Sequence, residues 1–515
     1  MFRSSSKKKQ AVIDEAVKDL NEDISDAVLV PSLEENMAII DSLFQDVEVY
    51  KTKYIKNAHN DKLGFCIAYS SGVSDKVYIG ENIIEPLSSS GALAESGDLL
   101  ATLNDKVIQI PDIEQTDSLL SVVEAISYGD TVLFTDGVAQ ALILNTKSFI
   151  HRSISEPESE RVLSGPREGF TETLMTNLSM LRRRVRTNKL KMKSYTLGKR
   201  TKTICSICYM EDVVNKKILQ ELYKRLDKID IDGVLDTNYI AELVKDSQLS
   251  PFRTTGYTER PDTVIARLLE GRIAIIVDGS PAVLTLPFLF IENFQSSEDY
   301  YMNYYYTTFS RMIRMFGFFL TIIVPGLYIA IVAYHHEMLP TQLLLNITVE
   351  RQGVPLPASI EAFLMLIIFD ILRETGVRMP SNIGQALSIV GALVIGQSAV
   401  EAKMVAAPMI IIVALTGITN LLVPRLSGPV IFLRYAFLLG ASLLGFYGLV
   451  LTTSAATIHI LNLRSFGIPQ MMAAGNVRFQ EVKDTFFRAP WWKMLLRPKG
   501  LTKNKTRMKS GGNAP

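Results

Sequence analysis

Cysteine is scarce in this chain, with three thiols in 515 residues, so no disulfide framework supports the fold. Two of the thiols form a CxxC pair, Cys205 and Cys208. A structural zinc site needs four ligands, and no second CxxC or paired histidine lies near this pair in sequence. Alternation along a strand puts the two thiols on opposite faces, which favours buried core positions. The sequence therefore predicts no metal site and no cofactor.

Recognisable catalytic and nucleotide-binding motifs are also missing. No Walker A sequence occurs, no GxGxxG follows a predicted strand, and the five histidines suggest no Ser/His/Asp trio. The N-terminal residues carry a basic patch without the apolar core of a secretory signal. We therefore expect that the protein is not an enzyme, and that its polar part lies in the cytosol with reduced thiols.

Long apolar runs are absent from residues 1–300 but dominate the sequence that follows. A helix needs about 20 apolar residues to cross the hydrocarbon core of a membrane. Four uncharged runs, and one apolar run that contains two carboxylates, are candidates. The candidate spans are 315–334, 354–372, 379–400, 404–424 and 435–463.

The predicted fold is a multidomain membrane protein with two N-terminal α/β subdomains, an all-α transmembrane bundle of four to five helices, and a basic C-terminal tail. The expected divisions are a mobile charged arm over 1–30, subdomain 1 over 31–150, a linker over 151–170, subdomain 2 over 171–300, the transmembrane domain over 301–464 and the tail over 465–515.

Residue patterns predict the elements within each subdomain. In subdomain 1 we expect a helix over 34–44, strands over 64–70 and 76–84, and two strands about the turn Asp136-Gly137 within 131–146. In subdomain 2 we expect helices over 171–187, 213–227, 237–246 and 262–270, with strands over 203–209 and 273–279.

The orientation of the spans is contradictory. Arg311 and Arg314 precede the first span and place its start inside. Five crossings would then put the tail outside, although its basic residues favour the cytosol. They are Lys483, Arg488, Lys493, Arg497, Lys499, Lys503, Lys505, Arg507 and Lys509. Either one candidate does not cross fully or the tail overrides the rule, and the sequence leaves both open.

The segment 381–401 is rich in small and polar residues at helical spacing. Its candidate pore-lining residues are Gln385, Ser388, Gly391, Ala392, Ile395 and Ser398, with Glu401 as a charged ring at one mouth. Tight packing of helices explains the same composition, so both readings stay open. The intramembrane carboxylates Glu361 and Asp370 favour a cavity or a partner, because charges within a span are costly. Nine residues apart, they point to opposite helix faces.

A basic run lies in the predicted second subdomain. It comprises Arg182, Arg183, Arg184, Arg186, Lys189, Lys191, Lys193, Lys199 and Arg200. The run suits exposure to water, contact with an anionic lipid surface or contact with a partner subunit, and the sequence leaves these three alternatives open. Binding of nucleic acid is disfavoured, because no stacking aromatic residues are interleaved with the basic ones.

Several long motifs resemble a known family. The stretches TETLMTNLSMLRRRVRTNKLKMKSYTLGKRTKT, SPFRTTGYTERPDTVIARLLEGRIAIIVDGSPAVLTLPFLF and GALVIGQSAVEAKMVAAPMIIIVALTGI, and the tail IPQMMAAGNVRFQEVKDTFFRAPWWKMLLRPKGL, closely resemble A subunits of GerA-type nutrient germinant receptors of endospore-forming bacteria. The resemblance implies a multi-pass receptor in the spore inner membrane with a cytosolic N-terminal domain. It also implies a transporter-like B subunit, a lipoprotein C subunit, and assembly of the A subunit into a pentamer that releases ions.

Two family motifs are carried over by position. They are Glu259, Arg260, Pro261 and Asp262, and Asp278, Gly279 and Pro281. Both suit turn chemistry and helix capping, and a role in gating or ligand contact is the alternative. The family usually has a second proline where this chain has Arg253, so the same loop conformation is not expected there.

Three functions are compatible with these observations. The first is the channel-forming A subunit of a germinant receptor, which gates the release of cations. The second is a secondary transporter or its regulatory subunit, although the expected internal repeat of hydropathy is missing. The third is a scaffold whose small-residue spans hold partners together.

Overall fold

The computed structural model describes residues 27–60, 63–93, 99–147, 156–157, 159–378, 396–471, 484–498, 501–502 and 506–507. The chain divides into two compact units. The N-terminal unit comprises residues 1–244, 255–287 and 497–506, and the helical unit comprises residues 245–254, 288–496 and 507–515. Most of the predicted arm and part of the predicted linker lie outside the described residues.

The N-terminal unit contains two five-stranded sheets, with the strand orders β1-β2-β4-β5-β3 and β6-β7-β9-β10-β8. The strands are Tyr50–Lys56 (β1), Gly64–Ser70 (β2), Ile113–Thr116 (β3), Thr131–Thr135 (β4), Ala141–Leu144 (β5), Leu190–Leu197 (β6), Thr203–Met210 (β7), Gly256–Thr258 (β8), Ile273–Val277 (β9) and Val283–Leu286 (β10). All the pairings within these two sheets are antiparallel.

Helices cover these sheets and bury an apolar core between the layers. They are Leu33–Leu43 (α1), Lys76–Ile79 (α2), Glu85–Ser89 (α3), Leu99–Thr102 (α4), Leu119–Tyr128 (α5), Leu174–Arg184 (α6), Lys216–Leu226 (α7), Thr237–Val244 (α8) and Pro261–Leu269 (α9). Helical segments of the π type, Gly80–Ile84 and Leu103–Val107, follow α2 and α4.

Most of the elements predicted from sequence are confirmed, but the strand over 76–84 is wrong. This segment is helical, because the side chain of Asp75 accepts hydrogen bonds from the backbone N–H groups of Val77 and Tyr78. Such an N-cap satisfies donors that a helix would otherwise leave free. The capping aspartate outweighs the strand propensity of the apolar residues that follow.

The two sheets are structural repeats of each other. Each has the same strand order, and in each an aspartate after the fourth strand accepts a hydrogen bond from the first backbone N–H of the leading helix. Asp136 Oδ1 accepts from Leu33 N at 3.3 Å, and Asp278 Oδ1 accepts from Leu174 N at 3.0 Å. We call the repeats subdomain 1, from α1 to β5, and subdomain 2, from α6 to β10.

The helical unit consists mainly of long apolar helices. They are Tyr304–Ile329 (α10), Thr341–Arg351 (α11), Ala358–Arg378 (α12), Gly396–Glu401 (α13), Ala407–Asn420 (α14) and Ser427–Asn462 (α15), followed by the strands Arg464–Ser465 (β11) and Ile468–Pro469 (β12). A π-helical segment, Ala330–Tyr334, prolongs α10. Two helical stretches of the described chain, Tyr304–Tyr334 and Pro424–Asn462, are long and apolar enough to cross a membrane.

Helix α15 folds back on itself at Gly445, whose φ of 60° and ψ of −134° are not helical. A Cβ atom placed on Gly448 would lie 1.9 Å from the carbonyl oxygen of Gly440. In a straight helix these residues would be about 12 Å apart along the axis. The helix is therefore a hairpin of two legs, and the reversal lies within the predicted span 435–463.

Both bases of this hairpin pack in one apolar cluster with a residue in the middle of α10, and the start of the tail contacts the first part of α10. Leu426 and Leu463, at the two bases, share one apolar cluster with Phe318 of α10. Arg311, near the start of α10, donates from Nη1 to Asp484 Oδ1 at 3.0 Å.

Candidate functional site

The carboxylate of Glu361 lies on α12 and is fully buried. Its Oε1 accepts a hydrogen bond from the backbone N–H of Ala406 at 2.7 Å, and its Oε2 lies 3.3 Å from Arg351 Nη1. Ala406 is the N-cap of α14, where a negative charge is favourable because of the helix dipole. Glu361 therefore fixes the start of α14 against α12.

The second carboxylate, Asp370, binds the first leg of α15. Its Oδ2 accepts hydrogen bonds from Arg434 Nη2 and, at 2.8 Å, from the hydroxyl of Tyr435. Arg434 is fully buried, and its Nε and Nη1 atoms have no hydrogen-bond partner in the described part of the chain. Removing one partner from a buried ion pair is costly, so this contact ties α12 to the hairpin.

The structure thus gives each predicted carboxylate its own arginine. Sequence reasoning missed Arg351 and Arg434, because both lie just outside the predicted spans. The available signal was the positive charge of these arginines close to the ends of predicted spans, since buried carboxylates in proteins are usually paired with a positive charge.

The predicted pore-lining residues fall mostly outside the described part of the chain. Gln385, Ser388, Gly391, Ala392 and Ile395 belong to residues that the structure does not describe. Ser398 and Glu401 lie on α13 and are exposed, and Glu401 Oε1 accepts a hydrogen bond from Gln397 Nε2 at 2.9 Å. The stripe as a whole therefore stays a prediction.

The first family motif joins the linker to subdomain 2. Arg260 is the N-cap of α9 and is 1% exposed. Its Nη2 donates to Asp262 Oδ2 at 2.9 Å and to the carbonyl oxygen of Pro166, and Glu160 Oε2 accepts from the backbone N–H of Glu259. Pro261 occupies the first position of the helix, where its missing N–H costs nothing.

The second family motif closes the turn between β9 and β10. Gly279 has a φ of +88°, which favours glycine, and its N–H donates to the carbonyl oxygen of Glu172 at 2.7 Å. Asp278 caps α6 as described above, and Pro281 follows in the same turn. These contacts are of the kind that turn chemistry and capping require, and they support the structural reading of both motifs.

Burial explains the remaining candidate residues of subdomain 2. Cys205 and Cys208 are fully buried, and burial raises the pKa of each thiol to about 12. Burial likewise lowers the pKa of the Arg182 guanidinium to about 10. Arg182 donates to the carbonyl oxygens of Thr187 and Leu190, so the basic run does not form one continuous exposed face.

Among the described residues, no group of three or more His, Cys, Asp or Glu side chains is placed to hold a metal ion. The arrangement defines a class of protein in which a folded N-terminal unit precedes a unit of apolar, membrane-type helices. Among the described residues of those helices, the carboxylates Glu361 and Asp370 are each paired with an arginine.

Comparison with known proteins identifies the family. Residues 38–500 match the family model described as Bacillus/Clostridium GerA spore germination protein. The chain is 39% identical over 478 residues to spore germination protein KA of Bacillus subtilis (strain 168), which covers 92% of this chain and 88% of that protein. It is 37% identical over 443 residues to spore germination protein GerLA of Bacillus cereus, covering 85% and 90%. The chain belongs to the GerA family.

Two further similarities complete the comparison. The uncharacterized membrane protein YfkQ of Bacillus subtilis (strain 168) is 40% identical over 484 residues, which is 94% of this chain and 93% of that protein. The crystal structure of the N-terminal domain of the A subunit of the Bacillus megaterium spore germinant receptor GerK3 matches 51% of this chain and 98% of that domain. That match has 30% identity and a TM-score of 0.42.

Proposed function

We propose that the chain is the A subunit of a nutrient germinant receptor in the spore inner membrane, and that it assembles into a pentameric channel that releases cations when germination starts. Membership of the GerA family supports the receptor role. In this proposal the chain acts together with a transporter-like B subunit and a lipoprotein C subunit.

The exposed surface of the long helices supports a position within a membrane. Large apolar side chains point outward from both α10 and α15, among them Phe316, Leu443 and Tyr447, each about two-thirds exposed. A soluble protein rarely leaves such continuous apolar surface uncovered. Lipid tails and neighbouring copies of the chain are the environments that suit it.

The path of the chain supports a topology in which the start of α10 and the tail lie on the same side of the membrane. In the proposed topology α10, α12, the segment 379–400 and α14 cross in turn, and the two legs of α15 cross out and back. Six crossings return the tail to the side from which α10 starts. The basic residues before α10 and in the tail then both lie in the cytosol, as the positive-inside rule favours.

The observation that carries the channel proposal is the polar end of the stripe. Gly396 is buried at the start of α13, whereas Ser398 and Glu401 are exposed. Small residues allow several copies to approach closely, and hydroxyl and carboxylate groups on the open face would then line water. A ring of Glu401 side chains would attract cations.

The test is ion flux through the purified chain in lipid vesicles, alone and with its B and C subunits. Replacing Ser388 with tryptophan should block or strongly reduce potassium efflux, because the larger ring would fill a narrow conduit. The matched control is Leu443→Trp, which adds the same ring at an outward-facing position, 66% exposed, of α15. This control should conduct like the unmodified chain.

Accessibility of single introduced cysteines provides a second measurement. The native thiols are fully buried, so they contribute little background to labelling by thiol reagents from solution. Cysteine at position 388 should react with a small soluble reagent in the conducting state. If it never reacts and S388W conducts normally, the stripe lines no water, and a scaffold role in which helices only hold partners is favoured instead.

A further inference from the structure

Aromatic side chains crowd one end of the helical unit, where α10 begins and the chain returns after α15. We select six of them, each between 45% and 63% exposed, and call this group the aromatic rim. Its members are Tyr306, Phe309, Phe486, Phe487, Trp491 and Trp492. Isolated exposed rings are ordinary, but a contiguous group of this size marks an interaction surface.

The tail segment that carries four of these rings is fixed to α10 by buried polar contacts. The carbonyl oxygen of Asp484 accepts hydrogen bonds from Arg311 Nη1 at 2.9 Å and from Gln295 Nε2 at 2.7 Å. The backbone N–H of Arg488 donates to Thr308 Oγ1 at 3.2 Å. The segment is therefore held at the level of the first turns of α10, and the rim does not depend on a loose end of the chain.

Ring contacts hold the two tryptophans in the same place. Trp491 lies 5.9 Å from the ring of Tyr300, and Trp492 lies 6.0 Å from that of Tyr304. The guanidinium of Arg488 stands 5.4 Å from the centre of the Trp491 ring. One part of each indole is thus anchored on protein, while about half of its surface, 48% and 45%, stays open.

We propose that the aromatic rim binds the headgroup region of an anionic lipid bilayer. The rim lies at the end of Tyr304–Tyr334, a helix long and apolar enough to cross a membrane. Tryptophan and tyrosine concentrate at the level where hydrocarbon meets headgroups, because their rings are apolar with one polar atom. The rim therefore has the composition and the position of an interfacial anchor.

The charge of the tail selects the kind of lipid. The side chain of Lys493 is exposed directly beside the tryptophans, and the guanidinium of Arg488 lies against the Trp491 ring. No acidic residue follows Asp484 in the sequence. Lysine and arginine near a membrane surface are attracted to anionic headgroups. An acidic surface fits this stretch better than a neutral one.

The chain offers a direct measurement, because Trp491 and Trp492 are its two tryptophans. All tryptophan emission of the full-length protein therefore comes from the rim. We would place the protein in vesicles of equal parts phosphatidylcholine and phosphatidylglycerol, with bromine near the headgroup end of the acyl chains. The expected result is loss of most of the emission compared with unbrominated lipid, and weak quenching by iodide from solution.

Two comparisons make the outcome decisive. Bromine carried only by phosphatidylglycerol should quench more than the same amount carried only by phosphatidylcholine, and equal quenching would overturn the preference for anionic lipid. Strong quenching by iodide without quenching by bromine would place the rim in water. Resistance to both quenchers would show that protein covers it, for example a second copy of the chain. Each of these last two results would overturn the proposal, and Trp491→Phe and Trp492→Phe assign the signal to one ring.

Discussion

The two repeats of the N-terminal unit solve the same local problems with the same devices and differ in what covers them. In each repeat an asparagine in the leading helix exchanges two hydrogen bonds with the residue six positions earlier, Asn36 with Val30 and Asn177 with Thr171. The first outer strand is largely exposed, whereas Leu190 and Met192 of β6 are fully buried. The common framework is a repeat, but the surroundings of its two copies are not.

The cover on β6 comes from subdomain 1. Lys191 Nζ donates to the carbonyl oxygen of Leu43 at 3.1 Å, and the backbone N–H of Glu48 donates to the carbonyl oxygen of Met192 at 3.4 Å. The exposed strand β1 instead carries Lys51 and Lys53, and charged side chains discourage pairing at an open sheet edge. In both repeats an aspartate after the fourth strand caps the leading helix. Because Asp136 does so outside any recognised family motif, this cap belongs to the repeat itself and is not specific to the motif that contains Asp278.

The largest difference between the repeats is expected at the N-caps of α5 and α9. Ser118 caps α5 with one hydroxyl, whereas Arg260 at the equivalent position pairs with Asp262 and holds the linker. Arg260→Ala should lower the local free energy of unfolding by about 3 kcal/mol, because it breaks a buried ion pair. Ser118→Ala should cost about 1 kcal/mol.

Hydrogen exchange of the full-length chain, followed by mass spectrometry, measures both effects, and in each variant the other repeat is the internal control. The loss at Arg260 corresponds to exchange about 100-fold faster in α9. Arg260→Lys keeps the charge but not the planar guanidinium, so exchange in α9 of this variant should be faster than in the unmodified chain and slower than in R260A. Equal acceleration in R260A and S118A would show that the arginine contributes no more than a hydroxyl cap.

A smaller effect is expected where the helices α5 and α9 end. Gly129 and Gly271 have φ values of +106° and +91°, and a Cβ on Gly129 would lie 2.4 Å from Val73 Cγ1. Replacing either glycine with alanine should lower the free energy of unfolding by about 2 kcal/mol. The cost of Gly129→Ala should shrink when Val73→Ala is added, because the clashing methyl group is removed.

No such rescue is expected at Gly271, since its added Cβ would meet the backbone oxygen of Val213 at 2.9 Å. Comparing the double variant G129A/V73A with its single variants by hydrogen exchange gives the coupling. Additive losses at Gly129 would mean that the helix end relaxes away from Val73, and that the strain is entirely in the backbone.

The smallest effect is expected at the aspartates that cap α1 and α6. Asp136→Ala and Asp278→Ala should each lower the free energy of unfolding by about 1 kcal/mol. Hydrogen exchange should accelerate mainly in the helix that each aspartate caps, which is α1 for Asp136 and α6 for Asp278. The asparagine variants retain an acceptor oxygen and should lose less. A much larger loss of ion flux in D278A than in D136A, without a larger change in hydrogen exchange, would indicate a functional role for the second motif.

Local patterns in the sequence were enough to predict most elements of the repeats. The run IAIIVDG predicted a strand with its turn, and the structure has β9 at Ile273–Val277 followed by Asp278-Gly279. Residues 64–70 likewise match β2. These signals are local, because alternation and turn residues act within a few positions. The repeat itself was missed, since it shows in the strand order and in hydrogen bonds between residues about 100 positions apart.

The helical unit was harder to predict because apolar composition does not encode direction. Nothing charged interrupts 435–463, so the run was interpreted as one crossing. The reversal depends on three glycines, Gly440, Gly445 and Gly448, which allow the legs to touch. Their spacing was a usable signal, but it also fits ordinary helix packing. The partners of Glu361 and Asp370 required the three-dimensional arrangement.

In the proposed topology, in which both legs cross the bilayer, the hairpin of α15 also makes the protein sensitive to bilayer thickness. Each leg has about 17 residues and is therefore about 26 Å long, whereas the hydrocarbon layer of a bilayer is about 30 Å thick. Lipids beside the hairpin must shorten their chains locally, at a cost of fractions of a kcal/mol per Å of mismatch. A change in acyl-chain length would therefore act on this element as a mechanical load, without any ligand.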